Sequence, residues 1–375
     1  MDHPYQSQPQ KAFWKLGVAE AGHVGAIQNL WLPKFTIEKS DVFITAGSCF
    51  AQHIRNAIVE RGFNWFNAEP APPNLTHDAA RENGYDVYSF RTGNIYSPAL
   101  LRQWIDWAFD GTPDCAEAWV DDVGRVTDPY RPNVEACPFG SIEELEALRE
   151  QTLAAIRTAV AKASIFVFTL GQTEIWTNRE TEHVYPMCPG TIAGTFDPNR
   201  HTLRVMRYSD IMRDMSAVIE RLYAVNPELK FLLTVSPVPT TATATDQHVL
   251  VASTNAKAAL RAAATDLRED YPNVDYFPSF EIIATHPSRG RFYDANLRTV
   301  TDNGVKLVMR HLLAGIRGKP IGFKAPNKAE GPAKSGLSNE SQTTVNPNSS
   351  KGGGDKMDPV CEEMMLEKFA KGGRS

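Results

Sequence analysis

A serine stands between a glycine and a cysteine at Gly47-Ser48-Cys49, followed by Phe50 and Ala51. A hydroxyl at the junction of a strand and a helix can act as a nucleophile. The N–H groups of the following helix, and its dipole, favour negative charge developing there. The same position also suits a helix N-cap serine with no chemistry. A serine nucleophile needs a base, and histidine titrates nearest neutrality. Three histidines qualify, ranked His248, His286 and then His53. His248 lies in a loop after an apolar run, with Asp246 two positions earlier. His286 lies in the loop before the last helix. His53 sits five positions after Ser48 and is expected to face elsewhere. Cys49 is a second possible nucleophile, since a helix start lowers a thiol pKa, but its place past the turn predicts a side chain directed into the core. Cys188, in Pro-Met-Cys-Pro-Gly, suits loop packing or a site thiol.

Other chemistries lack their signatures. No phosphate-binding glycine loop follows a first strand, and no His-Glu-x-x-His or comparable ligand spacing occurs, so neither cofactor nor metal is expected. The five cysteines, at 49, 115, 137, 188 and 361, contain no pair two residues apart. They read as reduced thiols, and a cytoplasmic location is expected. Lys and Arg number 39 against 44 Asp and Glu, for a net charge of −5. The basic residues are scattered, which argues against a nucleic-acid partner. No apolar h-region opens the chain and no run suits a membrane span.

The elements that must position Ser48 are legible as alternating patterns over the 375 residues. DVFITAG at 41–47 reads as a strand, and 50–62 as a helix stopped by Gly62. The stretch 141–163 is an amphipathic helix opened by a Ser141/Glu144 capping box, leading to the apolar strand IFVFTLG at 165–171. A helix over 209–223 precedes the strand 230–239. Another over 253–267 precedes 273–280, and a last helix spans 302–316. Such alternation predicts a doubly wound, three-layer α/β sandwich with a mostly parallel, flavodoxin-like sheet. Residues 64–140 are expected to form an irregular insertion covering one side of the site, with a helix near 97–109. Trp104, Trp107, Trp119 and Trp176 serve either as core or as a platform for a sugar ring. The domain is placed at 1–324. The tail, 325–375, is low in large apolar residues, with disorder expected over 325–356. Its end suits a short helix aligning Val360, Met364 and Phe369, either frayed or docked.

Several stretches together resemble the GSCFA family: ITAGSCFAQHI, the Gly-Asn of RTGNIYSP, TLGQTEIW, CPGTIAGTFDP, TVSPVPTTAT, HVLVAST and YFPSFEII. The resemblance covers about residues 4–316 and implies a relation to SGNH/GDSL esterases and acyltransferases. By that relation Ser48 is the nucleophile. Gly93 or Asn94 supplies an oxyanion donor from the second block, and Gly171-Gln172-Thr173-Glu174 forms the third. Thr173 fills the usual Asn slot, so Asn94 or Gln172 would supply the amide, and the role of Glu174 is open. The usual Asp-x-x-His falls at Asn296-Leu297-Arg298-Thr299, without acid or imidazole. The resemblance therefore implies a serine esterase or O-acyltransferase acting on a small ester or acylated glycan. The alternative is a glycan- or acyl-binding module that has lost its base. The oligomeric state is left open.

Overall fold

The structure is a computed structural model that describes residues 3–321 and 361–370. Its strands are β1 (Val42–Gly47), β2 (Asn64–Trp65), β3 (Trp119–Val120), β4 (Val126–Thr127), β5 (Ile165–Leu170), β6 (Glu174–Asn178), β7 (Val184–Tyr185), β8 (His201–Val205), β9 (Lys230–Val235) and β10 (Val274–Tyr276). The long helices are α1 (Phe50–Glu60), α3 (Pro98–Asp110), α4 (Ile142–Lys162), α5 (Tyr208–Val225), α6 (Val249–Asp270) and α8 (Asp302–Arg317). The short α2 (His77–Glu82), α7 (Ser279–Ala284) and α9 (Glu367–Ala370) complete the set. Five strands form one sheet in the order β10-β9-β5-β1-β2, every pair parallel. This is the flavodoxin-like winding, reversed at β1/β5, where ligands bind beyond the strands' carboxyl ends.

Two-residue alternation along each strand sorts side chains between two cores. Ile44, Ala46, Phe166, Phe168, Leu170, Phe231, Leu233 and Val235 face α3, α4, α5 and α6. Phe43, Ile165, Val167 and Leu232 face α1, α7 and α8, together with Val24, Ile27 and Trp31 of the N-terminal segment. Both faces are buried, which is why these strands read as continuous apolar runs.

The expected elements are present with small shifts at their ends. The capping box at α4 is half made: Ser141 accepts the Glu144 N–H at 3.2 Å, but the Glu144 carboxylate turns to the Gly140 N–H at 2.7 Å. The insertion differs more. Its helix α3 packs into the main core through Leu100, Leu101, Trp104, Ile105 and Trp107, so it is part of the wall and not an outer cover. Trp104 and Trp107 are core residues, whereas Trp119 and Trp176 are partly buried against the same core. The GQTEIW stretch leaves the main sheet as β6, which pairs antiparallel with β7 and β8. The expected tail disorder at 325–356 and Val360 lie outside the described residues. Of the terminal segment, Cys361–Ala370 forms a 3-10 turn followed by α9, and Glu362 and Glu363 are buried.

Candidate functional site

The site lies at the carboxyl ends of β1, β5 and β9. Gly47 closes β1 with φ +132°, and a Cβ there would stand 2.6 Å from the Thr169 backbone. Only glycine fits this combination of backbone angle and close strand approach. The chain then turns, Ser48 donating its N–H to the Thr169 carbonyl at 3.0 Å. Cys49, not Ser48, is the N-cap of α1, and it makes no side-chain cap bond. The Ser48 hydroxyl oxygen is buried and has no hydrogen-bond partner. A buried polar atom without a partner is costly unless a ligand or a reaction uses it. The N-cap reading of this serine therefore does not describe it.

Ser48 lines a small cavity with Cys49, Tyr96, Gly171, Lys257 and Glu363. A Cβ on Gly171 would lie 2.9 Å from the Tyr96 carbonyl and 3.0 Å from the Ser48 Cβ, so glycine keeps this wall open. The Gly171 and Gln172 N–H groups both donate to the Tyr96 carbonyl, at 2.9 and 3.0 Å. The Ile95 N–H donates to the Gly47 carbonyl at 2.9 Å, which ties the 93–96 loop to the end of β1. Tyr88 sits behind this loop, its hydroxyl against the Ser48 carbonyl at 3.1 Å and bonded to the Asn94 side-chain oxygen.

Lys257 enters from α6. Its amine is buried and donates to the Gly171 carbonyl at 2.5 Å. Burial pushes it down to about 8, since the charged form is poorly solvated there. Arg298 enters from the turn at 296–299. Leu297 takes φ +53°, and Asn296 accepts the Arg298 and Thr299 N–H groups at 3.0 and 2.9 Å. The Arg298 guanidinium donates to the Pro239 carbonyl at 3.1 Å and to Glu363 at 2.7 Å. The 296–299 turn therefore brings a cation to Glu363, which lines the cavity.

The sequence model of the GSCFA family matches residues 42–312, from the first residue of β1 into α8. The chain belongs to the GSCFA family. Among curated proteins, none matches it. The family match takes in Ser48, Asn94, Lys257 and Arg298, and it stops short of Glu362 and Glu363.

The other residues singled out from this GSCFA chain's sequence are dispersed. Asn94 is buried beside the cavity, next to Gly93, which holds φ +68°. Gln172 and Thr173 are used by the backbone, Thr173 accepting the Met206 N–H at 2.9 Å. Glu174 braces the 240–245 loop by accepting from Thr243 at 2.5 Å and the Ala244 N–H at 3.2 Å. His248 is exposed and caps α6, its Nδ1 accepting the Leu250 N–H at 3.2 Å. His286 is exposed and stacks on Trp14, ring centroids 5.1 Å apart. His53 lies edge-on to Phe50 at 5.5 Å. None of these imidazoles lines the cavity. Cys49 corrects an expectation, because it forms part of the cavity wall, where its buried thiol faces Cys361. Cys188 is half-buried in its loop, where burial pushes the thiol up to about 11.

Lys257, Tyr88, Tyr96 and the terminal glutamates escaped the sequence reading. Lys257 had a signal. It falls on the buried stripe of α6 with Ser253, Ala256, Leu260 and Ala264, where a lysine is out of place. Among the described residues, no group of His, Cys, Asp or Glu could hold a metal ion, and no helix is long and apolar enough to cross a membrane.

Proposed function

We propose that this chain is a serine-dependent esterase or O-acyltransferase in which Ser48 is the nucleophile and Lys257 its base. One observation carries the reading. An unpartnered, buried serine hydroxyl shares a cavity with a lysine whose pKa is lowered to about 8, so an appreciable share of that amine is neutral near pH 7 to 8. The neutral Lys257 amine accepts the Ser48 proton as the hydroxyl oxygen bonds to the acyl carbonyl carbon. The oxyanion is held by the Asn94 N–H and side-chain amide, which face the Glu362 carboxyl group here already. Collapse of that intermediate breaks the ester bond, and the Lys257 ammonium returns the proton to the departing alkoxide. Water then releases the acyl group as an acid, or a second hydroxyl accepts it. Lys257 takes this role in preference to His248, whose Nδ1 is used in a helix cap, and His286, whose ring is stacked on Trp14. The relation to SGNH enzymes and a carbohydrate-linked substrate rest on resemblance alone.

The alternative, an acyl- or glycan-binding module without turnover, draws on the site being filled by Glu362 and Glu363. Ester hydrolysis and fluorophosphonate labelling, run on wild type and Ser48→Ala, separate the two. Ser48→Ala is expected to lower the hydrolysis rate by about 10³-fold or more and to abolish labelling. Labelling that survives the substitution places the nucleophile elsewhere. Wild-type chain inert to both probes favours the binding module.

A further inference from the structure

The terminal segment reaches the site from far along the chain, Glu362 meeting Asn94 across 268 positions. Its carboxylate accepts from the Tyr96 hydroxyl at 2.6 Å, from the Asn94 side-chain amide, and from the Asn94 N–H. Glu363, next in sequence, accepts from Arg298 at 2.7 Å and faces the Lys257 amine. Both glutamates are 7% exposed. Burying two carboxylates is costly, and burial pushes both upward. They are held there only because donors and cations are already in place.

Those donors do not depend on the segment. Asn94 and Tyr96 are fixed by the loop bonded to β1 and β5. Arg298 is fixed by its turn and by Pro239, and Lys257 by α6 and Gly171. All four lie inside the family match, and the two glutamates lie outside it. The receptor is thus part of the family domain, while its occupant comes from a separate stretch of chain. Without the segment, the Lys257 and Arg298 cations and the Asn94–Tyr96 cradle would lose their carboxylate partners next to the cavity wall, and such a surface selects an anion.

We infer that Cys361–Glu363 is an internal, displaceable ligand of this site and that the molecule it gives way to carries a carboxylate. The inference takes the location of the site from the proposed function and none of its chemistry. The carboxylate could belong to an acidic peptide or to a small organic acid, and the test has an arm for each.

Hydrogen exchange on the full chain reads the seat directly. In E362Q/E363Q, the amides of 93–96 are expected to exchange about tenfold faster or more, through loss of charge-assisted hydrogen bonds. Adding glutarate, or a peptide of the sequence CEEMMLEKFA, should restore their protection, while neutral glutaramide should not. Restoration by the peptide alone points to an acidic peptide, and restoration by glutarate points to a small acid. Unchanged exchange at 93–96 in the variant, or equal protection by glutaramide, overturns the inference. A second measurement uses wild type and so does not depend on the variant folding. Copper phenanthroline in air should join Cys49 to Cys361, the two thiols giving up two electrons and two protons to dioxygen. Mass spectrometry of the digested chain should then find that linked peptide, and its absence also overturns the inference. Neither readout requires Ser48 to react, so failure here is distinct from failure of the esterase assay.

Discussion

Two buried charged clusters flank the sheet, and they are built on different plans. Around Asp128 the charges close on one another. Its fully buried carboxylate accepts from Arg131 at 2.9 Å, from Arg149 at 2.9 and 3.2 Å, and from the Tyr130 N–H at 3.1 Å. Burial alone would raise this carboxyl, but the two guanidinium groups outweigh it and hold the group below its usual value. Arg131 and Arg149 spend further donors on the Arg91 and Glu117 carbonyls. Around Ser48, whose hydroxyl has no partner, the family domain contributes a lysine, an arginine and an amide, and the carboxylates come from residues 362 and 363. The contrast teaches how to read buried charge. A buried carboxylate paired within its own neighbourhood ties an insertion to the core, and the cluster that borrows its carboxylates is the one for which we propose a ligand.

The largest test of this contrast is removal of Asp128. Asp128→Ala leaves two buried guanidinium groups unpaired and should cost about 3–5 kcal/mol in urea unfolding. A loss under about 1 kcal/mol would mean the cluster is not what holds the insertion. Lys257→Met tests the second cluster through its chemistry and not through stability. Ester turnover should fall about 10²-fold or more. A variant that unfolds while its folded fraction keeps full activity would assign Lys257 to structure instead.

A smaller effect is read in pH. Since the Lys257 pKa falls from 10.5 to about 8 on folding, turnover should climb through pH 8 and then level, and in Lys257→Met this step should vanish. The same linkage adds stability as pH rises from about 8 to 10.5, where the unfolded chain still holds the proton and the folded chain does not. Smallest is the effect of Glu363→Gln. Glu363 favours the charged amine, so its neutralisation should move that midpoint below 8. A midpoint that stays fixed or rises would show that Glu363 and Lys257 are not electrostatically coupled.

Much of the scaffold can be read from short-range patterns. The strand runs at 42–47, 165–170 and 230–235, and the stripes of α1, α4, α5, α6 and α8, appear close to where periodicity puts them. Gly47-Ser48 is legible as a strand-to-helix junction, and Asn94 as a polar residue at the site. The histidines stand away from the cavity, because residue type suggests chemistry while position depends on the fold: one of them serves a helix cap and another a ring stack. Lys257 left a trace, as a charge on a buried stripe. Arg298 was visible only as a departure from an expected pattern, and nothing near Glu362 or Glu363 marked them as partners of the site.

The sequence by itself determined the alternating elements and the parallel sheet, because strand and helix periods are written within a few consecutive residues. It also determined the serine at the end of the first strand. Tertiary structure decided which charges meet. Asn94, Lys257, Arg298 and Glu362 come together only once the sheet has wound in its reversed order and the terminal segment has docked, since burial and pairing depend on distances through space that no local period records.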